Sequence, residues 1–300
     1  MEPILVLVGF LGAGKTTLLK RLLLEAQQAD WDPYVILNDY EHAELDARQL
    51  AEQLSEGALK PLDGSCICCS GITALRDSIN RIPQRKRGIT LIEANGTSDA
   101  CRLMGFLGVG LDERFKPPVQ IAVVDVKNWQ CRGEHNALEA NQVQVSSLIV
   151  LTHTTGLSDA RIQSVKDELH QVNPNATIQG VNELALWQLP ELSPVSGNVD
   201  AFEHQKSHWA SCSVALPALP EETCIEALCA RIPESILRVK GCTRIGTSSD
   251  YTYFERCPDG AVSIRPFKGE PVTGSKLLVV GPGSDPGKLN KLVSQVLAAH

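Results

Sequence analysis

Apolar positions along the first two-thirds of the chain fall into two alternating kinds of run. Short continuous blocks occur at residues 4–8, 35–37, 90–92, 121–124 and 148–151. They are rich in Val, Ile and Leu, as expected of strands buried on both faces of a parallel sheet. Longer stretches carry apolar residues at helical spacing: Leu18, Leu19, Leu22 and Leu23; Ile72, Leu75, Ile79 and Ile82; Ile162, Val165 and Leu169. This alternation predicts an α/β domain whose mostly parallel sheet is covered on both sides. Ligands of such sheets gather at the carboxyl ends of the strands. Around residues 192–200 the composition shifts to Ser, Pro, Gly and Asn, as in a linker. Strand-like runs then follow at 236–245, 251–255, 261–264 and 277–280, broken by turn signals such as Pro258-Asp259-Gly260, with helical patches at 221–230 and 289–297. The predicted organisation is a first domain over residues 1–191, a linker over 192–207 and a small α+β C-terminal domain over 208–300.

Between the first apolar block and the first helical stretch lies Gly9-Phe10-Leu11-Gly12-Ala13-Gly14-Lys15-Thr16-Thr17. It satisfies the phosphate-binding pattern G-x-x-x-x-G-K-[ST] in the strand–turn–helix context that the pattern requires. Backbone N–H groups of Gly9, Gly12, Ala13, Gly14 and Thr17 are placed to face phosphate oxygens at a helix N-terminus. Lys15 is expected to neutralise the β- and γ-phosphates, and the Thr16 hydroxyl to ligate Mg²⁺. The first domain is therefore expected to be a P-loop NTPase domain.

Composition narrows the partners. With 300 residues, 43% hydrophobic and 21% charged, the chain can bury a full core, and its length suggests about two domains. A net charge of −7 argues against nucleic acid as the main partner. The basic cluster Arg85-Lys86-Arg87 reads as the end of a solvated loop before a strand. No basic leader precedes the first strand, and no apolar stretch has the length of a membrane span, so a cytoplasmic location without a membrane partner is expected. Ten cysteines then point to metal binding or simple burial rather than to a disulfide framework.

Three of those cysteines stand together in Cys66-Ile67-Cys68-Cys69. As thiolates they can converge on a cation such as Zn²⁺, with further ligands needed to close the site. Buried small residues are the alternative reading. Taken with the phosphate loop, the cluster resembles the CobW family of P-loop GTPases, metallochaperone relatives of the urease and hydrogenase nickel-insertion GTPases. That family's Gly-Phe-Leu-Gly-Ala-Gly-Lys-Thr-Thr-Leu is identical to residues 9–18. Its switch segment is similar to Asn38-Asp39-Tyr40-Glu41-His42-Ala43-Glu44-Leu45-Asp46, and its Gly-Cys-Ile-Cys-Cys to Ser65-Cys66-Ile67-Cys68-Cys69. Its Ile-Glu-Thr-Thr-Gly motif is similar to Ile92-Glu93-Ala94-Asn95-Gly96, and its C-terminal Arg-x-Lys-Gly to Arg238-Val239-Lys240-Gly241.

The resemblance implies a GTPase that binds Zn²⁺ or a similar cation and couples hydrolysis to metal delivery to a client metalloprotein. Assembly as a homodimer is left open. Glu93, at the end of an apolar strand, is the candidate to orient the attacking water or hold hydrated Mg²⁺. Gly96 lets the backbone turn close to the γ-phosphate. Asp46 or Asp39 can reach the Mg²⁺ shell or can cap a helix. His42 stands where the family has Glu, as a further Zn²⁺ ligand beside Cys66, Cys68 and Cys69 or as a surface histidine. The family's base-reading motif ends in a guanine-binding Asp, but here the corresponding residues are Thr152-His153-Thr154-Thr155. Thr152 remains in contact range of the nucleotide, and the choice between GTP and ATP stays open. His204 and His208 are all that remains of a histidine-rich interdomain tract. The rival reading is a nucleotide-binding regulatory module or a cofactor-biosynthesis kinase in which the cysteine cluster is structural.

Overall fold

Apolar alternation within each strand decides which side chains face which layer of helices, and the first unit follows from it. The computed structural model describes residues 1–38, 58–62, 72–107, 109–194, 211–236, 238–256, 260–267, 269–271, 274–281 and 284–299. The chain divides into two units, Met1–Ser207 and His208–His300. The strands of the first are β1 (Ile4–Val8), β2 (Asp32–Asn38), β3 (Leu59–Leu62), β4 (Gly88–Glu93), β5 (Val119–Asp125), β6 (Leu148–Thr152) and β7 (Thr177–Gly180). They form one sheet in the order β3-β2-β4-β1-β5-β6-β7 with every pairing parallel. Helices α1 (Lys15–Gln28), α2 (Ile72–Asn80), α3 (Ala100–Leu107), α4 (Asn136–Gln144) and α5 (Asp159–Val172) complete the layers.

Ile4, Val6 and Val8 of β1 join Leu75 and Ile79 of α2, Leu103 of α3 and Val165 and Leu169 of α5 in one core. Leu5 and Leu7 point the other way, into a second core with Leu18, Leu19, Leu22 and Leu23 of α1. All five β1 side chains are buried, each burial worth about 1.5–3 kcal/mol. The strand at the root of the phosphate loop is thus gripped from both sides.

The predicted central strands and the helices around residues 72–82 and 162–169 are present. Edge strands β3 and β7 are additions, and β7 is too exposed to show as an apolar block. Helices α3 and α4 are additions as well. The basic loop before β4 is solvated at Lys86 and Arg87 as expected, but the Arg85 side chain is only 7% exposed, with Nη2 2.7 Å from Glu2 Oε2, and it also donates to the Asp32 carbonyl at 2.9 Å.

The second unit contains β8 (Ser211–Ala215), α6 (Thr223–Arg231), β9 (Arg238–Arg244), β10 (Tyr251–Arg256), β11 (Val262–Phe267), β12 (Lys276–Val280) and α7 (Pro286–Leu297). Its antiparallel sheet runs β11-β10-β9-β12-β8. Ile225 and Leu228 of α6 and Leu289, Val293 and Val296 of α7 pack with Val239, Phe254, Leu277 and Val279. α7 begins on Asp285, whose Oδ1 accepts from the Lys288 N–H at 2.7 Å, with Pro286 in the first turn. On β9 and β10, Arg238 Nε donates to Glu255 Oε1 at 2.7 Å and the Tyr253 hydroxyl donates to Oε2 at 3.2 Å. Burial alone raises the Glu255 pKa, but Arg238, Lys240 and these hydrogen bonds outweigh it and hold the carboxyl below its ordinary value. From residue 195 onward, the linker expected over 192–207 lies outside the described residues, as does His208.

Candidate nucleotide site

Parallel register places the chemistry. Leu7 of β1 lies opposite Glu93 of β4, and Asp125 of β5 lies opposite Thr152 of β6. The carboxyl ends of four neighbouring strands therefore bring Gly9, Glu93, Asp125 and Thr152 to one edge. β1, which feeds the phosphate loop, has β4 on one side and β5 on the other. Chain order reverses there, and such a point is where open α/β sheets hold ligands.

The loop owes its shape to glycine. Gly9 has φ 146°, and a Cβ there would lie 2.3 Å from the Val123 carbonyl oxygen, so no other residue fits. Gly12 and Gly14 also have positive φ, and Gly14 delivers the chain into α1. The Ala13 N–H donates to the Phe10 carbonyl at 3.2 Å. Lys15 is buried and its ammonium donates to the Gly9 carbonyl at 2.8 Å and the Phe10 carbonyl at 3.1 Å, so it bridges the start of the loop. Thr16 Oγ1 donates to Glu93 Oε1 at 2.7 Å across 77 residues of sequence. Thr17 is exposed on the first turn of α1.

Thr152 and Gly96 meet the loop from either side. Thr152 Oγ1 lies 2.8 Å from the Ala13 carbonyl and 3.0 Å from the Val124 carbonyl. The exposed His153 has φ 52°, uncommon for a residue with a side chain, and its Nε2 lies 3.1 Å from the Gly12 carbonyl. At Gly96 a Cβ would meet Leu11 Cδ2 at 2.5 Å and the Leu11 backbone nitrogen at 2.8 Å. The turn after β4 therefore rests on the phosphate loop itself.

Several residues here escaped the sequence reading. Asp125 is buried and accepts from Asn128 Nδ2 at 2.8 Å and from Arg132 Nη2 at 3.1 Å. Arg132 also lies 3.7 Å from Glu139, and its guanidinium stands 4.9 Å over the Phe10 ring of the phosphate loop. Burial pushes the Glu139 carboxyl up to about 7, against the opposing pull of the Gln130 N–H and Arg132. Burial likewise lowers the pKa of His135, whose ring is 6.1 Å from Phe10. Asp125 carried a visible signal, since it closes a buried apolar strand as Glu93 does. Arg132 and Glu139 carried none. In the turn after β4, Asn95 Oδ1 accepts from the Thr97 N–H at 3.1 Å, and Gln142 Nε2 of α4 donates to the Gly96 and Ser98 carbonyls at 2.9 and 3.2 Å.

Asp39, His42, Asp46, Cys66, Cys68, Cys69 and His204 lie outside the described residues. Among the described residues, no three His, Cys, Asp or Glu side chains converge in a way that could hold a metal ion. Elsewhere among the described residues, Cys212, Cys224, Cys229 and Cys242 are buried.

The sequence matches the family described as CobW/HypB/UreG, nucleotide-binding domain, over residues 3–179. It is 29% identical over 191 residues to the zinc chaperone YjiA of Escherichia coli K12, covering 60% of this chain and 58% of that protein. It is 33% identical over 199 residues to the zinc-regulated GTPase metalloprotein activator 1 of Saccharomyces cerevisiae, covering 57% of this chain and 46% of that protein. The chain thus spans about half the length of these relatives. Among solved structures, the Zn(II)-bound YjiA GTPase from E. coli aligns with a TM-score of 0.45 at 19% identity, covering 99% of both chains.

Proposed function

The chain belongs to the CobW/HypB/UreG family of nucleotide-binding domains, and from that premise we propose that it hydrolyses GTP and couples hydrolysis to delivery of Zn²⁺ or a similar divalent metal. The recipient in this reading is a client metalloprotein, and the setting is the cytoplasm. No helix among the described residues is long and apolar enough to cross a membrane. The division into a nucleotide domain over 1–191, a linker and a C-terminal domain over 208–300 is part of the same proposal.

One observation carries the reading: the 2.7 Å bond from Thr16 to Glu93, beside a lysine that bridges a glycine-shaped loop. A hydroxyl and a carboxylate at a helix N-terminus form a hard oxygen donor set, which fits Mg²⁺. When bound, Mg²⁺ supplies charge neutralisation to the phosphates. In this proposal the loop amides and Lys15 bind the β- and γ-phosphates, and Thr16 would ligate the ion. Glu93 orients the attacking water or holds the hydrated ion through it, which is the positioning on which phosphoryl transfer depends. Gly96 brings the following turn to the γ-phosphate. Zn²⁺ is assigned to Cys66, Cys68, Cys69 and His42, with Asp46 at the Mg²⁺ shell. The support for zinc is that one relative is named a zinc chaperone and another a zinc-regulated GTPase metalloprotein activator.

Base choice is a distinct part of the proposal. Thr152 and His153 spend their polar atoms on carbonyls at Ala13 and Gly12, and Thr155 offers a hydroxyl where a carboxylate reads guanine. Losing a charged bidentate acceptor costs on the order of 1–3 kcal/mol of guanine preference. Calorimetric titration with GTP and with ATP, each with and without Zn²⁺, tests the reading. Binding of GTP, with an affinity that Zn²⁺ alters, is expected. Failure to bind either nucleotide would remove the function, and identical titrations with and without Zn²⁺ would remove the coupling.

A further inference from the structure

Helix α4 is unusual in what it buries. Its buried residues are Leu138, Glu139, Asn141, Gln142 and Val143, so most of its inner face is polar. A helix packed on a sheet normally turns an apolar stripe inward. Here each polar group has a backbone to hold. Gln142 Nε2 donates to the Gly96 carbonyl at 2.9 Å and to the Ser98 carbonyl at 3.2 Å. Asn141 Oδ1 accepts from the Ala100 N–H at 3.1 Å. Glu139 Oε2 accepts from the Gln130 N–H at 2.8 Å and faces Arg132, which covers Phe10. One helix thus grips both the turn after β4 and the residues that press on the phosphate loop.

The gripped turn is itself buried. Thr97, Ser98 and Asp99 are each 0% exposed and Asn95 is 5% exposed, although loops ordinarily lie at the surface. Ser98 Oγ and Gln142 Oε1 are buried without a hydrogen-bond partner among the described residues. The turn also lies close against the loop, because a single added methyl at Gly96 would come within 2.8 Å of the Leu11 backbone nitrogen.

We propose that Gln142 is a positioning residue for the γ-phosphate. By holding the Gly96 and Ser98 carbonyls, it sets the turn that touches the phosphate loop, and α4 carries the difference between triphosphate and diphosphate states away from the site. This rests on the reading that residues 9–17 bind a nucleoside triphosphate. A ligand that differs only by the γ-phosphate shifts α4 through its different contacts with this turn.

The test uses the full chain and its Gln142→Met variant, which keeps the side-chain length and removes the amide. Titration with the β,γ-imido analogue of GTP and with GDP separates the two states. Affinity for the analogue is expected to fall about tenfold while affinity for GDP stays within about twofold. Equal losses for both nucleotides mark Gln142 as merely structural and overturn the proposal, as does no loss for either. A parent chain that binds neither nucleotide overturns the phosphate-loop reading instead, and the proposal with it. Hydrogen exchange on the parent needs no variant. Amides of α4 and of residues 97–100 should differ in protection between the analogue and GDP, whereas unchanged protection of α4 contradicts its role.

Discussion

Two turns leave adjacent strands of one sheet and are held in different ways. The turn after β1 is shaped chiefly from within, by glycines at positive φ and by the Lys15 ammonium folded onto its own carbonyls, with Thr152 and His153 bracing it at Ala13 and Gly12. The turn after β4 has its own Asn95–Thr97 bond but is held chiefly from outside, by a glutamine 46 residues further along the chain. Self-shaped backbone gives a preorganised cradle that stays put when phosphate enters. A turn held by a distant side chain can be released or reset, which suits the part of a site that must distinguish two ligand states. Their contact is Gly96 on Leu11, with Glu93 on Thr16 beside it.

Removing the internal brace should have the largest effect. Lys15→Ala deletes both bonds to the loop carbonyls and the charge offered to phosphate, so affinity for GTP should fall by about 100-fold or more. Fluorescence titration with a labelled nucleotide measures it, and a loss under threefold would mean that the loop does not depend on Lys15.

A smaller effect is expected where the two turns meet. Gly96→Ala drives a Cβ into Leu11, including its backbone nitrogen, and should destabilise the first unit by about 1–3 kcal/mol. The denaturant midpoint reads this directly, and an unshifted midpoint would show that the turn can move away freely.

The last effect concerns the external clamp and is spread over a pH window. Between its ordinary value of 4.5 and about 7, Glu139 stays protonated in the folded chain and ionises in the unfolded one. The folded state then binds more protons, so stability falls as pH rises through that window and levels off above it, by at most about 1.4 kcal/mol per pH unit. Glu139→Gln should abolish that slope while keeping an acceptor for the Gln130 N–H. Urea midpoints of both proteins across the window give the answer, and parallel profiles would mean that Glu139 does not titrate there.

The same contrast explains what the sequence revealed. The strand blocks, the phosphate loop and Glu93 are local: each is a short run whose residue types state their own geometry or stand at the end of an apolar block. Asp125 had the same local signal. Helix α4 was missed because its buried face is Glu139, Asn141 and Gln142, and periodicity finds only apolar faces. Arg132 was missed because a buried arginine is recognisable only by its partners, here Asp125, Glu139 and the Phe10 ring. Arg85 was misread as solvated for the same reason, since its partner Glu2 lies 83 residues away. Base choice was half legible: the absent guanine-reading Asp shows in Thr155, but the bracing of the loop by Thr152 and His153 shows only in three dimensions.

Phosphate release from GTP by the parent and by Glu93→Gln tests the central claim most directly. Glutamine keeps an oxygen for the Thr16 hydroxyl and removes only the charge, so the variant should bind GTP with affinity within about threefold of the parent and release phosphate at least about tenfold more slowly. Equal rates of release would contradict the account, because the carboxylate that closes β4 would then have no part in hydrolysis.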